Sequence, residues 1–154
     1  SVLKVNHNPA MAAVGAATPV MTVKQQLRAD PGWNLVANEI INCVQSLASS
    51  VVNLNKTPIY VANLEKANDH GLAFRSMVMT KLVKNRFNVT FQPENAVHLK
   101  YDVVAEETAT EEGKLVVVVR VAMIKGEQVI TSQREYRTAR DENSVHIVQY
   151  ARNL

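Results

Sequence analysis

Asn68, Asp69 and His70 stand together at the head of "NDHGLAFRSMVMTKLVKNRF", and Arg75 follows shortly after. A carboxylate beside an imidazole is the pairing of a general base with the group that orients it. The position strengthens the suggestion. The segment follows a strand-like run and precedes a helical one, where free backbone N–H groups and the helix dipole attract anions. Asn68, Asp69, His70 and Arg75 are therefore candidate ligand-binding residues, with the 63–70 loop presenting them to a small molecule or a peptidoglycan fragment. A plainer account is that Asn68 or Asp69 caps the helix, which is worth about 1 kcal/mol and requires nothing else. A phosphate cradle needs several glycines, and here only Gly71 is in place. Capping is the preferred reading.

Elsewhere the chemistry-bearing residues are scattered. His7, His70, His98 and His146 have no His, Cys or carboxylate partner at metal-ligand spacing, so no metal is expected. His98 falls on the polar phase of a strand and is expected at the surface. The only cysteine, Cys43, lies among Ile40, Ile41, Val44 and Leu47, as a small core residue would. It permits no internal disulfide. No G-x-S-x-G is present. The acids of "EETATEEG" (106–113) read as a solvated turn with no apolar pocket to raise a carboxyl pKa. With no convergent polar groups there is no cofactor to expect, and the chain reads as a non-enzyme.

Bulk properties agree. The 154 residues suit one domain, and 47% hydrophobic against 20% charged residues can fill a core. A net charge of +3, with acids and bases interleaved, gives no basic stripe for nucleic acid. No apolar run reaches the length of a membrane-spanning helix.

The elements that must position these residues follow from periodicity. Residues 1–30 contain "NPAMAAVGAATPVM", apolar without a period, and read as an extended arm ahead of a single domain at 31–154. Asp30 and Pro31 open a helix whose apolar side is Val36, Ile40, Val44, Leu47, Ala48 and Val51. "PIYVA" is a short buried strand. Phe74, Met77, Val78 and Leu82 mark a second helix, with Leu72, Met79 and Val83 widening the stripe. Asn85 suits the left-handed residue that ends it. "FNVTF" closes a strand–helix–strand unit, usually a right-handed parallel crossover. "AVHLKYDVVAE" alternates, "KLVVVVRVAMI" is the most strand-like run, "KGE" reverses the chain, and "QVITSQREYRT" returns antiparallel. Gln133, Arg134 and Glu135 suggest an edge or a wet face. Val145, Ile147 and Val148 fit either a last strand or a helical turn. The expected fold is α/β (α+β): two helices on one face of a mixed β-sheet of about five strands, in the order α-β-α-β-β-β-β.

The blocks "PIYVANLEKANDHGLAFRSMVMTKLVKNRFNVTFQPENAVHLKYDVV" and "KLVVVVRVAMIKGEQVITSQREYR", with Phe74, Val78 and Leu82 spaced along the helix, resemble small Gram-negative envelope lipoproteins. The nearest types are conjugative-transfer TrbH and flagellar FlgO, with TolB N-terminal-like domains more distant. In this chain "QPENAV" leaves no room for the further helix of FlgO-like proteins. The resemblance implies a non-catalytic structural part of a secretion, conjugation or flagellar machine in the periplasm, associated with the outer membrane. A lipidated cysteine would then lie ahead of Ser1. Expected partners are envelope proteins or further copies of the chain, with membrane contact only through such an anchor. A cytoplasmic location is the alternative.

Overall fold

The computed structural model describes residues 31–50, 56–62, 69–107, 114–140 and 144–151. The expected arm at 1–30, Val51 of the first helix's expected apolar side, residues 63–68 of the candidate loop with Asn68 among them, and the core of the acidic turn fall outside them. Helix α1 (Pro31–Ala48) is followed by strand β1 (Ile59–Val61), helix α2 (Asp69–Lys84), and strands β2 (Val89–Thr90), β3 (Val97–Glu107), β4 (Leu115–Lys125), β5 (Gln128–Arg140) and β6 (Val145–Tyr150). The two helices lie on one face of a six-stranded mixed sheet, ordered β2-β1-β3-β4-β5-β6.

β1 pairs in parallel with β2 and β3, and β3 to β6 form an antiparallel meander. The parallel strand–helix–strand unit is therefore present. The next step is less usual, because β2 and β3 flank β1 yet only residues 91–96 connect them. Parallel strands ordinarily need a longer crossover. Here β2 is two residues long, so the chain has little distance to recover before β3 begins.

Alternation divides the sheet into two faces. Val97, Leu99, Tyr101, Val103 and Ala105 of β3 face the helices, with Val117, Val119, Val121 and Met123 of β4 beside them. Trp33 of α1, Phe74 of α2 and Tyr101 of β3 tie three elements together by edge-to-face contacts at 5.4 and 5.6 Å, the spacing their ring quadrupoles favour. On the reverse face run Tyr60, His98, Asp102, Val104, Val116, Val118 and Ile124, with no described helix above them.

Several expectations change in detail. Leu72 and Val83 are exposed (45% and 59%) and do not widen the buried side of α2, whereas Met79 does. The left-handed residue after α2 is Arg86 (φ 67), not Asn85. Arg86 and Phe87 donate back to the carbonyls of Val83 and Leu82 at 3.0 Å, a Schellman closure, while the Asn85 side chain caps Lys81 O at 2.8 Å. Glu106 and Glu107 extend β3 instead of lying in the turn. The ambiguous tail is a strand, β6, which makes six strands. It occupies the edge in place of β5.

Candidate functional site

The residues that cluster in sequence do not cluster in space. Asp69 opens α2, exposed in its first turn, where a negative charge complements the helix dipole. His70 is half-buried, with Nε2 lacking a hydrogen-bond partner among the described residues. Arg75 turns toward the sheet. Its Nε and Nη2 both donate to Val61 O at 3.0 and 2.8 Å, and the guanidinium lies 5.8 Å from the centre of the Tyr60 ring. Arg75 thus fastens α2 to the end of β1. No described hydrogen bond or ion pair joins Asp69, His70 and Arg75, and Asn68 lies outside the described residues.

Polar groups converge somewhere else, under α1. Glu39 is only 3% exposed. Its Oε1 accepts from Tyr150 Oη at 2.6 Å and from Asn42 Nδ2 at 3.4 Å, and its Oε2 accepts from Arg134 Nη1 at 3.3 Å. Arg134 also lies over the Tyr150 ring, 5.9 Å from its centre. A buried carboxylate is costly unless paired and hydrogen-bonded, and these donors, from α1, β5 and β6, meet that need. Arg134 therefore belongs to the helix-covered face and not to a wet one. Every second residue of β5 from Ile130 to Thr138 shares that face, so the alternation that buries Tyr136 also aims Arg134 at α1.

Beside this cluster, burial pushes the Cys43 thiol up; a hydrogen bond with Ser132 and the charge of Arg134 pull more weakly the other way. A raised thiol is a poor nucleophile, in keeping with a core cysteine. Tyr136 is fully buried, with no partner for its hydroxyl among the described residues, and burial drives its pKa upward, with Glu39 adding to the effect. Tyr150 is also raised, through partial burial and then through its bond to Glu39. The carboxylate itself is almost wholly removed from solvent. What it does is hold: Glu39 joins α1 to both β5 and the edge strand β6.

Sequence reasoning overlooked Glu39, although a signal was available. It lies three residues after Val36 and four before Cys43, inside the apolar sector of its own helix. A charged residue in that sector must find a partner, but which one is not written locally. Among the described residues no group of three or more His, Cys, Asp or Glu could hold a metal ion, and no helix is long and apolar enough to cross a membrane. His98 is half-buried, not simply exposed: its ring packs at a tilt against Tyr60, centroids 5.2 Å apart, and its Nε2 lies 2.8 Å from Pro93 O, which requires that nitrogen to carry the proton. Compared with known proteins, the chain matches no family model, no curated protein and no solved structure.

Proposed function

We propose that this chain is a non-catalytic assembly module that works through protein–protein contacts made by its sheet. One observation carries the reading. Among the described residues, the long strands β3, β4 and β5 have helices on one face only, and the reverse face sets half-buried Val104, Val116, Val118, Ala122 and Ile124 around the Asp102–Arg120–Gln133 row. Apolar groups bordered by charge suit a partner surface. At the sheet's edge, β6 adds exposed Val148 and Tyr150, held in place by the Glu39 bond. Such an edge favours strand addition. The setting we propose is the Gram-negative envelope, in a secretion, conjugation or flagellar apparatus, on the strength of the layout's likeness to its small lipoproteins.

Light scattering across a concentration series, together with cross-linking in envelope extracts, tests this. The expected result is concentration-dependent association or one reproducible envelope partner, abolished by Val118→Arg on the reverse face while thermal stability is kept. A strict monomer with no envelope partner removes the proposal.

A further inference from the structure

The 63–70 loop follows β1; the segment 56–58 precedes it. At that opposite end, next to the reverse face of the sheet, the surface forms an open concavity of about 720 Å³. Segment 56–58 walls one side, the crossing at 93–96 a second, and the β4–β5 turn a third, with His98 between them. The size lies within the usual range for small-ligand sites.

The charges in it are one-sided. Lys56 and Lys125 line it from two different walls, and no carboxylate does among the described residues. Neither lysine has a salt-bridge partner among the described residues. Glu94 and Glu127 adjoin lining residues in sequence but are not part of the lining. Pro58, Pro93 and Ile124 supply apolar surface between the cations. The walls are fastened to one another: Val97 N donates to Pro58 O at 2.9 Å, and His98 Nε2 donates to Pro93 O at 2.8 Å. The third wall is a tight hairpin, with Lys125 paired to Gln128 and Gly126 at φ 61 in the first turn position. A shape held before binding avoids the ordering cost that weakens loop sites.

We propose that this concavity binds a small multivalent anion, a phosphate- or carboxylate-bearing molecule with a compact body. Lys56 and Lys125 hold the charge, and Pro58, Pro93 and Ile124 pack against the body. Two ammonium groups with no described salt-bridge partner, around a hollow with no carboxylate in its described lining, raise the local concentration of anions. Lysine acts here as a point charge, so charge number matters more than planar geometry. The inference does not depend on the assembly reading.

The test is amide NMR of the full chain titrated with pyrophosphate and, separately, with citrate, each against sodium chloride at matched ionic strength. Saturable shifts confined to residues 56–58, 93–98 and 124–126 are expected; response to pyrophosphate alone identifies phosphate chemistry, and response to both identifies a general anion site. The double variant Lys56→Glu/Lys125→Glu should weaken binding by about tenfold or more, given two partly screened contacts. Lys56→Gln/Lys125→Gln should weaken it less with an unchanged melting temperature, and Asp69→Ala should leave it unaltered. Shifts that are absent, unsaturable or spread over the surface overturn the proposal, as does full affinity in the double variants or its loss in Asp69→Ala.

Discussion

The two ends of the helical layer make opposite use of polar residues. At the start of α2, Asp69, His70 and Arg75 are neighbours in the chain, yet each meets a different fate: solvent, a half-buried ring, and the carbonyl of Val61. Under α1, Glu39, Arg134 and Tyr150 are far apart in the chain and meet in one hydrogen-bonded group. Proximity in sequence says little about convergence, because helix geometry turns successive side chains about 100° apart, whereas a sheet brings distant strands within one strand spacing. The residues that resembled an active site position a helix, and a residue that resembled nothing in particular joins three elements.

That contrast can be broken most forcefully at Glu39. Glu39→Ala strips Arg134 and Tyr150 of their acceptor and should cost about 3 kcal/mol in urea unfolding, the scale for a broken buried pair moderated by the partial exposure of Arg134. Glu39→Met/Arg134→Met should recover most of that loss, since removing both charges leaves neither stranded. A Glu39→Ala protein as stable as the parent would deny the cluster any holding role.

Alkaline titration probes burial on both sides of the comparison, through Tyr136 beside Glu39 and Tyr101 against Phe74 of α2. Burial raises the hydroxyl pKa of Tyr101 and Tyr136, so the folded state keeps both protonated where the unfolded chain releases them. Their contribution is complete below the unfolded value near 10 and is lost as pH rises above it, at about 1.4 kcal/mol per pH unit for each tyrosine. Tyrosinate absorbance should show these two ionising only together with unfolding. Ionisation ahead of unfolding would mean that their burial is looser than the structure shows.

A milder probe is Tyr150→Phe, which removes one bond to a charged acceptor and should cost about 1.5 kcal/mol, with faster thiol labelling of Cys43 as β6 and α1 loosen. At the α2 end the effects should be smaller. Asp69→Ala should cost about 0.5 kcal/mol through the helix dipole, declining as salt is added. Arg86→Gly should instead stabilise by up to about 1 kcal/mol, because a side chain no longer occupies the left-handed position of the closure. If Asp69→Ala proved as damaging as Glu39→Ala, the two ends would not differ as described.

Much of the architecture was legible because it is periodic. Alternation in 97–105 marks both faces of β3, the β-branched run at 115–121 marks β4 as a strand, and Phe74, Val78 and Leu82 mark the buried side of α2. Positions at boundaries were less legible. Glu106 and Glu107 looked like turn residues by composition, but pairing with Val116 and Leu115 carries the strand through them. Leu72 and Val83 looked buried by type, but α2 packs against α1 and the sheet on a narrower side than its apolar residues span. The tail 145–150 carries too few apolar residues to distinguish strand from helix; pairing with β5, across a bulge at Arg137/Thr138, decides it.

The sequence alone determined that two amphipathic helices and a set of alternating strands would share one core, since hydrophobic period is a local property of the chain. Only the tertiary structure decided which polar groups meet. The Glu39 cluster, the Arg75 clasp on β1 and the two-lysine hollow each depend on strand order and register, and those follow from the packing of the whole sheet rather than from any one segment.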